Sequence, residues 1–251
     1  MSTAGAQSAG SSVTTPRMMP KGANPDWDVA SVKKSDPRDK SDNIDIRGRH
    51  VIVENETIKY LLTFAYGVDK SQIEGTPDWV GQEHYDVDGL PNVEGQPNLK
   101  QTQALLQKLL AERFGLKLHH EQKNLPAFAL MVAKGGPKFV KSKGDPDGIP
   151  DVDGGGDDRG RQFSRFTNEA MSDLPLFLMT YVGRPVVDRT GLSGRYDFEL
   201  KWSLDELRAT QPDAPPGIFT ALEEQAGLKL ERVTAPVDVL VVDGVERPSA
   251  N

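Results

Sequence analysis

Three acidic side chains in one dense motif could act as paired carboxylates. Within Gly183–Trp202, Asp188 lies where a short β-prone run meets a turn, and Asp197 and Glu199 alternate along a predicted strand. Residues two apart on a strand share a face and lie about 7 Å apart, a separation that suits a two-carboxylate glycosidase. Acids on the solvent face of an amphipathic strand give the same pattern, so catalysis and plain solvation both remain open.

The same motif and an earlier, diluted copy of it hold the candidate binding residues. Two tyrosine–aspartate pairs and a basic turn could contact a ligand. The structural alternative gives each residue a local role, in which Asp188 caps the turn, Arg189 pairs with a carboxylate and the tyrosines anchor the core. The candidate binding residues are Arg184, Asp188, Arg189, Tyr196, Tyr85 and Asp86.

Other catalytic and cofactor signatures are missing from the sequence. There is no Gly-x-Ser-x-Gly nucleophile elbow, no Walker loop and no dinucleotide-binding fingerprint. The chain has four histidines, of which His119 and His120 are adjacent in a predicted strand and therefore point to opposite faces. We predict no metal site and no cofactor.

An acidic, glycine-rich segment at residues 141–161 places aspartates at alternating positions, as calcium-binding loops do. It lacks the glutamate that closes a complete EF-hand loop. Two interpretations follow: a calcium-dependent adhesion site from Asp145 to Asp158, or a solvated linker between two halves of the chain. We favour the linker.

Composition limits the partners. The 251 residues carry a formal net charge of −7, which argues against nucleic acid because binding a polyanion requires a basic face. No stretch approaches the roughly 18 apolar residues of a spanning helix, so we do not expect the chain to cross a membrane. The lack of cysteine excludes disulfides and thiolate chemistry. No signal peptide is visible in Met1 to Gly10.

We predict an α+β fold of two tandem repeated units, each a small mixed sheet with two helices on one face. An apolar stripe at helical spacing that ends at Gly67 predicts one of these helices. Late in each unit, two strand-like runs flank Pro126 or Pro236, which we interpret as hairpins. The predicted divisions are a disordered tail at 1–25, a first unit at 26–140, an acidic Gly-rich linker at 141–161 and a second unit at 162–249.

An internal repeat supports the two-unit prediction. Each half follows the order strand, helix, strand, helix, strand, strand. Four anchors recur at a nearly constant offset, which indicates a duplicated unit. The matched anchors are Asn55-Glu56 with Asn168-Glu169, Tyr85-Asp86 with Tyr196-Asp197, Gly115–Leu118 with Gly227–Leu230 and Pro126 with Pro236, at offsets of 113, 111, 112 and 110 residues.

Several long motifs resemble the soil-associated protein family that is abundant in acidobacterial genomes, a domain of unknown function. The resemblance is carried by WDVASVKKSD, PDWVGQEHYDV, LLAERFGLKLHHEQKNLPAFALMVAKGGPK, GRPVVDRTGLSGRYDFELKW and FTALEEQAGLKLERVTAPVDVLVVDGVERPS, and it covers about Asp26 to Ser249. Members usually carry an N-terminal signal or membrane anchor, which implies a periplasmic or secreted location. Each half also resembles, more weakly, the short N-terminal domain of secretins and TonB-dependent receptors, which implies binding of other proteins.

These observations predict an extracytoplasmic, non-catalytic protein that binds another protein or a component of the cell envelope. The alternative is a hydrolase that acts on a glycan or ester through Asp188, Asp197 and Glu199. A cleft with carboxylates of perturbed pKa would favour the hydrolase. An exposed sheet edge or an apolar patch would favour the binding protein.

Overall fold

The computed structural model describes residues 17–36, 38, 42–144, 150–157, 159–204 and 213–248. Within these ranges the chain forms an α+β fold with twelve strands in three four-stranded sheets and four α-helices. The predicted fold class is therefore confirmed. Residues 1–16 of the predicted tail lie outside the described residues.

The first outer sheet and its helices come from the first half of the chain. The elements are β1 Trp27–Lys34, β2 Asn43–Arg47, β3 His50–Thr57, β5 His84–Pro91, α1 Ile58–Tyr66 and α2 Leu99–Arg113, with short 3₁₀ helices at Lys70–Gln72 and Asp78–Gly81. The strand order is β1-β5-β3-β2, and every pairing is antiparallel. The buried faces of α1 and α2 pack with this sheet into one core.

Helix α1 forms where the sequence predicts it. At its start, the Thr57 hydroxyl accepts a hydrogen bond from the Tyr60 N–H at 3.1 Å, which satisfies one of the unpaired donors of the first turn. Gly67 ends the helix with φ of +64°, a conformation that glycine adopts at little cost. The buried residues are those of the predicted stripe, Ile58, Leu61, Leu62 and Ala65.

The second outer sheet repeats this plan. The elements are β7 Val140–Lys141, β8 Asp151–Gly156, β9 Arg161–Ala170, β11 Arg195–Ser203, α3 Leu174–Val182 and α4 Ile218–Ala221, which continues as a π-helical turn over Leu222–Ala226. The order is β7-β11-β9-β8, again antiparallel throughout. By position in the sheet, β7, β11, β9 and β8 correspond to β1, β5, β3 and β2.

A bulge occurs at the same place in both outer sheets. The register shifts near Asn55 where β3 pairs with β5, and near Asn168 where β9 pairs with β11. These two asparagines have φ of +54° and +56°, in the left-handed region that asparagine tolerates better than most residues. The Asn-Glu pairs matched in the sequence therefore occupy corresponding positions.

Two long strands join the halves. Strands β6 Lys117–Val132 and β12 Leu228–Gly244 pair antiparallel along their length. The short strands β4 Ile73–Glu74 and β10 Val186–Asp188 add in parallel, which gives the order β10-β6-β12-β4. Among the described strands, parallel pairing occurs in this central sheet, so the expectation of a mixed sheet within each unit is not met.

The two predicted hairpins are wrong, because β6 runs through Pro126 and β12 runs through Pro236 without turning. The Phe128 N–H points away from β12 and donates to the Pro185 carbonyl at 2.8 Å. In β6 and in β12, the main-chain N–H and C=O groups of the even-numbered residues therefore point away from the other strand of the pair. The N–H that each proline lacks would point to an outer edge. The ladder between β6 and β12 therefore loses no hydrogen bond.

Each outer core is completed by the long strand from the other half of the chain. The first core contains Leu240 and Val242 of β12, and the second contains Phe128 and Leu130 of β6. A third, smaller apolar cluster lies on the paired long strands. The halves therefore interlock, and each predicted unit has part of its core in the other half.

Two segments predicted to be irregular are ordered by backbone contacts. In the predicted tail, Met19 is buried and its N–H donates to the Gln96 carbonyl at 2.9 Å. In the predicted linker, residues 151–156 form β8 against β9. Composition misled the prediction here, because strand pairing uses main-chain groups and needs no apolar side chains.

Candidate functional site

The turn at residues 188–195 is held by its own polar groups. The Asp188 carboxylate accepts hydrogen bonds from the Thr190 N–H at 2.8 Å and the Thr190 hydroxyl at 2.7 Å. The Thr190 hydroxyl in turn accepts from the Leu192 N–H at 3.1 Å. The Arg189 N–H donates to the Leu130 carbonyl at 2.9 Å, while its side chain is exposed. Asp188 thus has the turn-capping geometry of an Asx turn.

The other two acids considered for catalysis also have structural partners. Asp197 accepts a hydrogen bond from the Asn168 N–H at 2.7 Å and so braces the bulge in β9. Glu199 pairs with Arg165 at 2.7 Å, and this hydrogen bond holds the pKa of Glu199 below its usual range. Neither they nor Asp188 line the cleft described below.

In the tyrosine–aspartate pair of the first half, Tyr85 belongs to the core and Asp86 binds the bulge in β3. Tyr85 is buried, its hydroxyl donates to Glu83 at 2.9 Å, and burial raises its pKa to about 12. Asp86 accepts from the Ser35 hydroxyl at 2.6 Å and the Asn55 N–H at 2.9 Å. Burial acts to raise the pKa of Asp86, but these hydrogen bonds outweigh it and the pKa is lowered.

The remaining candidate binding residues lie nearer the surface. Tyr196 is half-buried, its hydroxyl donates to the Ser193 carbonyl at 3.1 Å, and its ring packs edge-on against Phe139. Arg184 is exposed, and its guanidinium lies 6.0 Å from the centre of the Phe128 ring. The structure therefore distributes the candidates over both halves, with Asp188, Arg189 and Tyr196 at the turn.

A cleft of about 530 Å³ opens beside this turn. Its walls are formed by residues 141–144 at and after the end of β7, residues 170–172 at and after the end of β9, and residues 192–195 leading into β11. Backbone hydrogen bonds fasten these segments together, from Ser142 to Arg195 at 2.8 Å and from Met171 to Gly194 at 3.4 Å. The cleft is thus a product of the second sheet and its loops.

The cleft presents cations and hydroxyl groups. Lys141 and Arg195 line it together with three serines, and Arg195 donates to the Asn168 carbonyl at 2.7 Å. The Ser172 hydroxyl donates to Asp173 at 3.1 Å. A nucleophilic serine needs an adjacent base, and no histidine is among the lining residues that the structure describes. This arrangement suits recognition of an oxygen-rich group through hydrogen bonds and charge.

Sequence reasoning missed two buried glutamates at matched positions. Glu56 is 7% exposed and Glu169 is 5% exposed. Burial raises the pKa of each to about 7, with a further contribution from Asp42 at Glu56 and from Asp173 at Glu169, where Arg195 opposes it. The repeated Asn-Glu pair was the available signal, but a glutamate in a polar pattern does not reveal its own burial.

The acidic segment provides no metal site among the residues that can be described. Asp145, Asp147 and Asp158 lie outside those residues. Asp151 and Asp153 are exposed on β8, and Asp157 is paired with Arg161. Across the described ranges, no group of three histidine, aspartate or glutamate side chains is placed to hold a metal ion.

Fold and cleft together define an α+β protein with a cleft at one end of an antiparallel sheet, lined by two basic side chains, three serines and several apolar residues. The chain belongs to the family described as "Protein of unknown function (DUF3738)", whose model matches residues 59–245 and so spans both halves. No curated protein and no solved structure matches the chain. In the described part of the chain, no helix combines the length and apolar character needed to cross a membrane.

Proposed function

We propose that this protein is a non-catalytic binding protein that acts outside the cytoplasm and recognises another protein or a component of the cell envelope. The observation that carries the proposal is the use of Asp188, Asp197 and Glu199 in structural hydrogen bonds. Among its described lining residues, the neighbouring cleft offers hydrogen-bond donors and positive charge, and none of them is a histidine that could act as the base for a serine. Such a surface can bind a ligand without transforming it.

Internal duplication supports the same function. The two outer sheets have corresponding strand orders, and β4 pairs with Leu240 as β10 pairs with Phe128, at an offset of 112 residues. We infer that the chain arose by tandem duplication of one α+β unit. The sequence resemblance of each half to the short domain of secretins and TonB-dependent receptors, whose members bind other proteins, favours a protein ligand. The resemblance to the soil-associated family favours the extracytoplasmic location.

A photo-reactive amino acid at Ser193 tests binding at the cleft. Ser193 lines the cleft, and the Tyr196 hydroxyl donates to its main-chain carbonyl, which a change of side chain keeps. We expect a crosslinked species in the envelope fraction of the source organism. The matched control carries the same amino acid at the exposed Ser31 on β1 and should give no such species. Equal crosslinking at both positions would contradict a specific cleft.

A hydrolase is the second candidate, and one observation favours it. Glu169 directly precedes the cleft segment 170–172, and its pKa of about 7 suits a general acid. Its counterpart Glu56 has a similar pKa in the half without this cleft, which favours a shared structural cause. We expect no turnover of chromogenic glycosides or esters. Turnover that Glu169→Gln abolishes and Glu56→Gln leaves intact would instead establish a hydrolase.

A further inference from the structure

Among the strands that the structure describes, β8 is an open edge of the second outer sheet. It is the last strand in the order β7-β11-β9-β8, and all six of its residues are exposed. An exposed edge strand offers a row of main-chain N–H and C=O groups to an additional strand. Recognition of a peptide by strand addition uses these groups for affinity and alternate side chains for specificity.

The direction of the main-chain groups follows from one hydrogen bond. Just beyond β8, the Asp157 N–H donates to the Arg161 carbonyl at 3.0 Å, so Asp157 faces β9. Because alternate residues of an antiparallel strand face the same neighbour, the odd-numbered residues of β8 also face β9. The outward groups belong to Val152, Gly154 and Gly156, and no described strand pairs with them.

The surface beside this edge has room for a side chain. Gly155 pairs with Phe163 of β9, and a Cβ added to Gly155 would have nothing within 4 Å. The Phe163 ring is flanked by Arg165 at 5.5 Å and Lys201 at 5.8 Å from its centre. An aromatic side chain opposite an edge glycine can cover the glycine and contact the next strand.

Among the described strands, the other edges of the two outer sheets are short, covered or charged. Strand β2, which corresponds to β8, carries the ion pairs of Arg47 with Asp45 at 2.8 Å and with Glu54 at 3.8 Å. On β1, the Arg113 guanidinium donates to the Ala30 carbonyl at 2.8 Å. Strand β7 has only two residues. Charged residues and short strands are common means of blocking strand addition.

We propose that β8 accepts an extended segment of a partner protein as an additional antiparallel strand, and that this segment alternates basic and apolar residues. Its basic side chains lie opposite Asp151 and Asp153, and an aromatic side chain opposite Gly155 contacts Phe163. On the other face, apolar side chains lie beside Val152, which is 46% exposed. A second copy of this chain is disfavoured, because like charges on paired strands repel.

This inference rests on the proposed binding function in that the partner is a protein, but it uses a surface separate from the cleft. The probe is a fluorescent peptide with the core Phe-Val-Lys-Val-Lys. Paired antiparallel, this core sets phenylalanine opposite Gly155 and the two lysines opposite Asp153 and Asp151. We expect saturable binding by fluorescence anisotropy that weakens with added salt, and NMR amide shifts concentrated on β8 and β9.

Two variants separate main-chain pairing from side-chain contact. Val152→Pro removes one outward N–H and leaves the β9 ladder intact, so we expect at least tenfold weaker binding. Val152→Ala keeps the N–H and should weaken binding by less than about threefold. If Val152→Pro fails to fold, a peptide that is N-methylated at alternate amides makes the same test on the unchanged protein and should not bind.

Three results would overturn the inference. They are equal binding by Val152→Pro and Val152→Ala, equal binding of a peptide with glutamate in place of lysine, and concentration-dependent self-association of the chain that Val152→Pro abolishes. The crosslinking at Ser193 is independent of all three, so failure at β8 and failure of the cleft are distinguishable.

Discussion

The two outer sheets share a strand order, yet their edges are closed to different degrees. In the first sheet, β1 pairs along β5 with its eight residues Trp27–Lys34. In the second, β7 contributes two residues to β11. The Gln225 side chain takes the place of a longer strand, since its amide donates to the Lys201 carbonyl at 2.7 Å and accepts from the Lys201 N–H at 2.9 Å.

The connections that lead into β5 and β11 also differ, because the first is filled and the second is open. In the first half, the 3₁₀ helix Asp78–Gly81 fills the connection, and Arg247 lies over the Trp79 ring at 4.9 Å and pairs with Glu83 at 2.9 Å. In the second half, the turn at residues 188–195 leaves the cleft open. One architecture thus gives a closed half and an open half, and both proposed binding surfaces belong to the open half.

The largest expected effect tests whether the halves interlock. Leu240 is fully buried in the first core although β12 belongs to the second half of the chain. Leu240→Ala should lower the free energy of unfolding by about 2–5 kcal/mol, because it removes buried methyl groups and leaves a cavity. Urea unfolding measures the loss, and hydrogen exchange should accelerate in α1 and α2.

Leu130→Ala is the matched control for this prediction. Leu130 is fully buried in the second core and lies on β6, from the first half of the chain. Its replacement should accelerate exchange in α3 and leave α1 less affected. If Leu240→Ala loosened α3 instead of α1 and α2, the exchange of strands between the cores would be refuted.

The sequence predicts an element correctly where residues close together in the chain determine it. Helix α1 was predictable because its apolar stripe and Gly67 are within ten residues of each other. The hairpins failed because Pro126 and Pro236 mimic turn signals, whereas each strand's true partner is about 110 residues away. No periodicity identifies a partner at that separation, so the central sheet could not be derived.

The candidate site was less predictable than the fold. Residues 190–194, predicted to form a turn, do lie between β10 and β11. The cleft also needs residues 141–144 and 170–172, which tertiary packing brings together. The openness of β8 could not be derived either, because glycine and aspartate in a loop-like composition do not reveal pairing on one side alone.

A pair of glycines sharpens the contrast between closed and open halves. A Cβ added to Gly89 would lie 2.1 Å from the Trp27 ring, which is fixed by the hydrogen bond from its N–H to the Leu105 carbonyl. Gly89→Ala should therefore lower the free energy of unfolding by about 1–3 kcal/mol. Gly155→Ala meets open space and should be neutral within about 0.5 kcal/mol. Similar losses in the two variants, measured by urea unfolding, would contradict a difference in closure.

The matched glutamates should behave alike despite this contrast. Because the pKa of Glu56 and of Glu169 is raised from 4.5 to about 7, the folded state binds more protons than the unfolded state between these values. The free energy of unfolding therefore falls as pH rises from about 4.5 to 7, and the penalty is complete above that range. Glu56→Gln and Glu169→Gln should each stabilise the protein at pH 8 by about 1–2 kcal/mol.

Thermal unfolding at pH 5 and pH 8 measures this difference. Either glutamine variant should lose less stability between the two values than the parent protein. Glu199→Gln is the control, because Glu199 is exposed and should not reproduce the gain at pH 8. If only Glu56→Gln stabilised the protein at pH 8, the cleft would relieve the cost of burying a charged Glu169. The two halves would then also differ in the cost of their buried glutamates.

The smallest effect concerns the aspartates that brace the two bulges. Asp86 accepts from Ser35 and Asn55 and lies 3.3 Å from the Lys33 ammonium, whereas Asp197 accepts from the Asn168 N–H. Both hydrogen bonds to Asp86 reach its Oδ1 atom, so an asparagine oxygen at either position can still accept the bonds from the bulge. The substitution of Asp86 also removes the charged oxygen that faces Lys33. We therefore expect Asp86→Asn to cost about 1 kcal/mol and Asp197→Asn to cost less.

The pH dependence of the aspartate variants gives a second check. The pKa of Asp86 is lowered from 3.8, so the stability that its carboxylate supplies is present above 3.8 and is lost as pH falls through the lower folded pKa. The difference between the parent protein and Asp86→Asn, measured by urea unfolding, should therefore shrink as pH falls below 3.8. A difference that stays constant would mean that the hydrogen-bonding geometry, and not the charge, braces the first bulge, which would bring the two halves closer in mechanism.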